Sequence, residues 1–473
     1  MKINNILLPL QMPLYSLSFI VLLILFPFQL LAQNDSLDKA FYQIVDINIK
    51  GNKKTKKEII LRELNIQVGD YLKISNYKDI IDINRRRILN LNLFAFVNQE
   101  DSIVDNTYLY ISYTVHELLY WEPNPIFDLA DRNVNVWWVE MNHKLNRTNI
   151  GLELTRTNFR GRNELLGGMV QLGYNKYFKL FYKTPNIDKK LHHGLGFAGI
   201  FETGRETFYN TKNNKLQFFS SENYPYSRAV ARVFYSYRNS YAAIHELELN
   251  YNRLSITPSF YDLNPNYFNG KKIMKYFEFI YTYKYNNTDL RIFPTRGWDI
   301  NISFSKKGLG IDHDVNQFMI KTQSIFYQKI NEQLSTSTML LARLAGPQQQ
   351  PYYLQRALGF KNEFIRGYEY YVIDGTHYAI LRNGLYYKLF DRIISQRVLP
   401  FLHYIPLRVF AKVYDDIGYV HSPIKKHSPL NNRILNGYGI GIDIVVSYLA
   451  KFRIEYSFNH LGQNGLFLHG KKD

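Results

Sequence analysis

The sequence predicts a mainly β protein: a transmembrane antiparallel β-barrel of about sixteen strands, preceded by a small α+β domain. Three observations predict it. From residue 148 onward, segments of about ten residues alternate apolar and polar side chains with a period of two. The apolar face of those segments is dominated by aromatics, and the chain holds 39 Tyr and 32 Phe in 473 residues. Past the N-terminus no segment reaches the roughly 18 consecutive apolar residues of a spanning helix, so a membrane-crossing chain must cross as strands.

Composition narrows the class further. The hydrophobic fraction is 46%, yet the mean hydropathy is −0.28, too low for a bundle of membrane helices. With no Cys, a disulfide framework and thiolate metal sites are excluded. The net charge of +18 comes from scattered Lys and Arg with no basic helix. That fits contact with acidic lipid and argues against nucleic acid.

At the N-terminus, Lys2 precedes a short apolar run, Leu17–Phe28, which Pro27 and Gln29 interrupt before Ala32. This is the pattern of a secretory signal peptide over residues 1–32, the alternative being an uncleaved anchor. No Cys follows the cleavage site, so it is not a lipoprotein signal.

Residues 41–117 read as strand, helix, helix, strand, strand. QIVDINIKGN is a strand that ends at a Gly51-Asn52 turn. Ile59, Ile60 and Glu63 have helical spacing. Tyr77, Ile80, Ile81, Ile88 and Leu91 follow a 3.6 period. FAFVNQE and TYLYISYTV are strands, the second with Leu109, Ile111, Tyr113 and Val115 on one face. Such an order gives helices on one side of a short sheet. Residues 118–147 read as a connector, because Pro123 and Pro125 stop regular structure. Within it Asp128, Asp131 and Arg132 read as a structural turn rather than a metal or acid–base cluster.

From 148 to 473 the alternation is clean. Phe277, Phe279, Tyr281, Tyr283 and Tyr285 oppose Glu278, Thr282 and Lys284. Phe452, Ile454, Tyr456 and Phe458 oppose Lys451, Arg453, Glu455 and Ser457. Large aromatics on one face and mid-strand charges on the other suit lipid outside and a wet lumen inside. Closure is required, because an open edge in lipid leaves backbone groups unpaired.

The segment from Pro347 to about Thr376 is too long for a tight hairpin and too aromatic for a disordered one. It contains FIRGYEYY, with Arg366 among aromatics. Packed into the lumen, Arg366 needs an acidic partner. Strand parity offers Asp416 and Asp443, both pointing inward. Gly367 permits a backbone turn that other residues resist.

ALGFKNEFIRGYEYY resembles the sixth-loop signature of the BamA/TamA superfamily of outer-membrane assembly factors, the bacterial surface antigen family. Arg366, Gly367 and Tyr368 match its Arg-Gly-Phe/Tyr core. NTDLRIFPTRGWDI resembles the family's Asp-x-x-x-x-Pro-Thr-Lys/Arg-Gly strand start, through Asp289, Pro294, Thr295, Arg296 and Gly297. YDDIGYV resembles its Asp-x-Gly strand at Asp416 and Gly418, and GYGIGIDI the Gly-rich strand after it. The domain at 41–117 resembles one POTRA module, and the FDLADRN…WW connector resembles Bacteroidetes-like members. The similarity covers about nine-tenths of the chain.

There are departures. A single POTRA-like unit stands where the essential assembly factor usually has several. Gly359-Phe360 replaces Gly-Gly, Asn383-Gly384-Leu385 lacks a glutamate, and the C-terminus ends in charges. A dedicated or accessory role therefore fits as well as a general one.

What the resemblance implies is an outer-membrane protein whose POTRA-like domain lies in the periplasm and binds unfolded client polypeptides by adding a strand. The barrel would insert those clients into the membrane, with a weakly paired seam between first and last strands that opens. Arg366 would anchor the loop in the lumen. Partners would be outer-membrane or secreted client polypeptides, outer-membrane lipid, and periplasmic or lipoprotein accessory subunits. No cofactor and no metal are expected. The alternatives are polypeptide secretion through the barrel, lipid handling, a passive porin, and an enzyme. Against the last, no Gly-x-Ser-x-Gly elbow is present. His192-His193 and Asp312-His313-Asp314 read as loop polarity, and no helix pattern follows GYGIGI.

Overall fold

The computed structural model describes residues 40–472, except 131–133, 140, 239, 292, 313, 361–362, 396–403, 424–428 and 447–449. The expected signal peptide at 1–32 and Asp131 and Arg132 lie outside the described residues. The N-terminal domain runs β1 (Phe41–Lys50), α1 (Lys57–Leu61), β2 (Tyr71–Lys73), α2 (Tyr77–Leu89), β3 (Phe94–Val104) and β4 (Tyr108–Glu117). Its sheet order is β2-β1-β4-β3, with β1 and β4 parallel. Helix α2 forms because Tyr77, Ile81, Asn84 and Ile88 bury one stripe. That stripe packs on Ile44, Ile47, Leu109, Ile111 and Tyr113 of the sheet. β2 was not foreseen. At three residues, paired to Phe41–Gln43, it is too short for alternation to show.

The rest of the chain runs β5 (Trp121–Leu129), β6 (Thr148–Thr157), β7 (Leu165–Gly173), β8 (Asn175–Thr184), β9 (His193–Gly204), β10 (Glu206–Lys212), β11 (Lys215–Ser220), β12 (Tyr226–Tyr237), β13 (Ala243–Ile256), β14 (Ile273–Asn286), β15 (Gly297–Lys307), β16 (Gln317–Lys329) and β17 (Leu334–Gly346). It continues with β18 (Arg356–Leu358), β19 (Ile373–Asp374), β20 (His377–Ser395), β21 (Tyr404–His421), β22 (Ile434–Val446), β23 (Ala450–Asn459) and β24 (Asn464–Lys472). Sixteen of these form one antiparallel sheet from β5 round to β24; β10–β11 and β18–β19 are separate hairpins. A helix in the β5–β6 connection, α3 (Val134–Val139), lies against β24. Among the described residues no ladder joins β24 to β5.

The sheet's two faces have opposite chemistry. Trp298, Ile302, Phe304, Ile440, Ile442 and Phe452 are exposed, whereas Lys412, Asp416, Asp443, Glu455 and Ser457 are buried. A protein in water would reverse this, so the solvent of the outer face is lipid. None of the described helices is long and apolar enough to cross a membrane. The connector reading of 118–147 needs correction. Trp121–Leu129 is a strand of the large sheet despite Pro123 and Pro125, and the reason is its position at the sheet's end, where proline is tolerated.

The N-terminal domain is fastened beneath the sheet. Glu117 at the end of β4 accepts from the Thr55 amide at 2.7 Å, the Thr55 hydroxyl at 2.7 Å and the Lys54 amide at 3.0 Å. Asn158 Nδ2, in the β6–β7 turn, donates to Thr55 Oγ1 at 2.9 Å. Further round, Glu63 pairs with Arg238 at 2.7 Å, and Arg87 lies over Tyr241. Asn90 donates to Tyr241 and accepts from the Arg291 amide. The domain thus holds the turns from β6–β7 to β14–β15.

Burial alone would raise the Glu117 carboxyl, but the hydrogen bonds from Thr55 and Lys54 outweigh it and hold the group below the usual carboxylate range. A depressed folded pKa contributes stability above the ordinary carboxylate value of about 4.3, and that contribution disappears as pH falls through the lower folded value. Hydrogen exchange should therefore show the Lys54 and Thr55 amides protected at neutral pH and progressively less so in acid. In Glu117→Gln they should exchange roughly tenfold faster at neutral pH, with the acid dependence gone.

Candidate functional site

The segment between β17 and β20 folds back into the sheet's concave side and docks on β21–β24. Arg366 is its anchor. The side chain is 5% exposed and its partner Asp416 is fully buried. Arg366 Nε donates to Asp416 Oδ1 at 3.0 Å, its backbone amide donates to Oδ2 at 3.0 Å, and Nη2 closes the fork on Oδ1. The guanidinium lies 3.9 Å from the Tyr414 ring centroid and 3.6 Å from Glu455 Oε1. Burial by itself would lower the pKa of this guanidinium; Asp416 more than offsets it and keeps the charge in place.

The neighbouring residues complete the dock. Gly367 has φ 89°, a left-handed conformation that favours glycine, and its carbonyl accepts from Asn459 Nδ2 at 2.7 Å. Tyr368 is buried, donating to the Asn436 carbonyl at 3.1 Å and meeting His460. Arg382 of β20 lies 3.4 Å from Asp416 and also bonds the Phe364 carbonyl. Phe364 stacks on His469 of β24, which lies 3.5 Å from Glu369 and 3.3 Å from Glu455. Burial pushes the Glu369 carboxyl up, with His469 pulling the other way.

Glycines of β22 and β21 leave the room that the loop needs here. A Cβ at Gly437 would stand 1.8 Å from the Arg366 carbonyl oxygen, and one at Gly418 would stand 2.3 Å from Ile365.

Of the two acids that parity offered, only Asp416 meets Arg366. Asp443 is held by Lys412 and by Lys451 at 2.8 Å, because it lies further along its strand toward the N-terminal domain. Lys412 also pairs with Glu455 at 2.7 Å. Sequence reasoning placed Glu455 on the charged face without seeing it as a partner, and missed Arg382 and His469. Parity flags all three as inward, but only the cross-strand register brings them together.

The strand-start motif lies at the opposite end. Asp289 Oδ1 accepts from the Thr295 and Arg296 amides at 3.0 and 3.2 Å, and Oδ2 from the Thr295 hydroxyl at 2.7 Å. Pro294 lies within this turn, and Gly297 (φ 108°) leads out of it into β15. The turn drives Phe293 into the lumen at φ 124°, a conformation costly for a non-glycine residue. Phe293 stacks on Phe410 at 3.8 Å, with Lys451 over its ring at 4.8 Å. A chain of contacts therefore runs from the turn through Lys451, Asp443, Lys412 and Glu455 to Arg366. Sequence reasoning missed Phe293 altogether.

The end away from the N-terminal domain is also closed. Hairpin β10–β11 reaches the loop through Asn214, whose side chain and carbonyl bond both backbone groups of Val372 at 2.9 and 2.8 Å. Phe208 and Phe219 pack with Phe260, Tyr267 and Tyr352. Elsewhere His193 bonds Tyr235, and Asp312 accepts from Tyr251; His313 and the Asp128 side chain are outside the described set.

Residues 158–377 match the model of the Omp85 superfamily domain, and residues 42–118 match the surface antigen variable number repeat, or POTRA. No curated protein matches the sequence. Among solved structures, the chain is similar to BamA from Haemophilus ducreyi lacking POTRA domains 1-3, at 15% identity and TM-score 0.54, over 91% of this chain and 85% of that one. It is similar to CdiB from Escherichia coli at 12% identity and TM-score 0.55, covering 91% and 75%. CdiB from Acinetobacter baumannii gives 10% identity, TM-score 0.50, and coverage of 91% and 73%. At these identities the likeness is one of fold.

Proposed function

We propose, from the premise that the chain carries an Omp85 superfamily domain behind one POTRA module, that this outer-membrane assembly or secretion factor works by inserting client polypeptides into the membrane. The POTRA module would lie in the periplasm and receive unfolded clients there. The observation that carries insertion over secretion is the filled lumen. The loop is fixed to the wall through Arg366 and Asp416, hairpin β10–β11 packs over one end, and Phe293 enters from the other. A polypeptide crossing through the lumen would have to displace all three, whereas the seam between β5 and β24, which no ladder joins among the described residues, offers a lateral route that displaces none. The buried charged groups neutralise one another, which suits a structural anchor rather than bond-making chemistry.

The test is quantitative proteomics of isolated outer membranes and culture medium after depletion. Insertion predicts loss of barrel proteins from the membrane with precursors accumulating in the periplasm. Loss of a protein from the medium alone, with membrane barrels unchanged, would overturn insertion in favour of secretion.

A further inference from the structure

We propose that the junction between the N-terminal domain and the large sheet is a binding surface for anionic phospholipid headgroups of the periplasmic leaflet. The inference takes the domain to lie in the periplasm, and it holds whether clients are inserted or secreted. It begins with NKKTKK, residues 52–57, in the loop between β1 and α1. Lys53, Lys54, Lys56 and Lys57 are all exposed, and none of them forms an ion pair among the described residues. The loop's backbone is nevertheless fixed. Glu117 holds the Lys54 and Thr55 amides, and the Lys56 amide donates to the Gly161 carbonyl at 2.9 Å. The β6–β7 turn lies so close that a Cβ at Gly161 would stand 2.2 Å from the Lys54 carbonyl oxygen. Four charges are thus seated on that turn rather than carried on a free tail.

The turn stands where the lipid-facing wall ends. Ile150, Leu152 and Leu154 of β6 are exposed on the lipid side. Arg156, next on that face, lies 4.9 Å from the Trp121 ring centroid and 5.3 Å from that of Phe159. Arg160, also exposed, donates to the Tyr182 hydroxyl at 2.9 Å, and Tyr182 follows Phe178 and Leu180 on the lipid side of β8. Aromatic rings at the end of an apolar band mark the headgroup layer. The lysines meet that layer from the periplasmic side.

Charge selects the occupant. Residues 53–58 and 156–164 together with Glu117 bring seven cationic side chains against three carboxylates. Glu164 is taken by Arg160 at 2.6 Å and Glu117 by the loop's own amides, while Glu58 is exposed. Each Lys or Arg near a bilayer surface favours anionic lipid, over a reach of roughly 8 Å at physiological salt. The apolar wall directly above the cations suits acyl chains, which neither an acidic peptide nor free phosphate brings. The net charge of +18, which composition alone related to acidic lipid, is here concentrated at the height where such lipid lies.

The test uses the full chain in a neutral detergent, titrated with phosphatidylglycerol or with phosphatidylcholine and read by native mass spectrometry. Phosphatidylglycerol should bind about tenfold more tightly, and its advantage should shrink as ammonium acetate is raised. Lys53→Gln/Lys54→Gln/Lys56→Gln/Lys57→Gln should lose the preference and keep heat-modifiable mobility, because the loop's contacts are made by its backbone. The milder Lys53→Gln/Lys57→Gln should lose part of it. Equal binding of the two lipids by the parent chain, or a preference that survives both sets of substitutions, would overturn the proposal. So would tighter binding of poly-glutamate that the same substitutions abolish, which would make this a surface for acidic polypeptide.

Discussion

Arg366→Ala should release the loop spanning residues 347–376 from the lumen while the strands remain folded. The substitution leaves the Asp416 carboxylate, fully buried, without its fork. Removing one partner of a buried pair costs about 3–5 kcal/mol. Arg382, at 3.4 Å from the same carboxylate, remains and should keep the cost near the lower end. That penalty exceeds what the remaining contacts of Gly367 and Tyr368 can hold against the entropy of a free loop. Arg366→Lys should rescue only partly, because an ammonium cannot reproduce the planar fork or the stacking on Tyr414. Protease susceptibility of the loop in folded, heat-modifiable protein is the measurement, with client levels in the membrane as the functional readout. A loop that stays protected in Arg366→Ala would sink the anchor role.

Gly437→Val should have an effect of similar size by a purely steric route. The added Cβ meets a backbone oxygen, that of Arg366, at 1.8 Å, so no side-chain rotation relieves it. Either the loop leaves or β22 distorts; overpacking of this kind costs roughly 1–3 kcal/mol or more. Gly199→Ala is the control, since nothing lies within 4 Å of its would-be Cβ. Because both changes act on one docking event, Arg366→Ala/Gly437→Val should be markedly less severe than the sum of the singles. Additive effects in the same protease assay would mean that the two residues act separately.

The sheet was legible because its residues repeat with a period of two over many strands; about sixteen were expected from residue 148 onward, and the sixteen-stranded sheet has fifteen there and β5 before them. Parity also pointed inward for Asp416, Asp443 and Glu455, since direction relative to the sheet is a local property. Partnership was not legible. Whether Arg366 meets Asp416 or Asp443 depends on how far the loop descends into the lumen, which no single segment encodes. β5 was hidden for a different reason: its prolines contradict the usual strand composition, and only its place at the end of the sheet makes them acceptable. Phe293 was hidden because one residue at positive φ carries no periodic signal.

The loop's sockets have a temporal consequence. Asp416, Gly437, Asn459, His460 and His469 all follow Arg366 in the chain, separated from it by 50 residues at Asp416, and Asn459 lies 92 beyond Gly367. While the chain is being laid down from its N-terminus, the loop exists before anything it can bind. Its arginine must stay hydrated until the last four strands are in place, and only then can the charge be withdrawn from water. Docking is therefore the closing event of this protein's own biogenesis, and a chain stalled short of β24 would be marked by a loop still open to solvent.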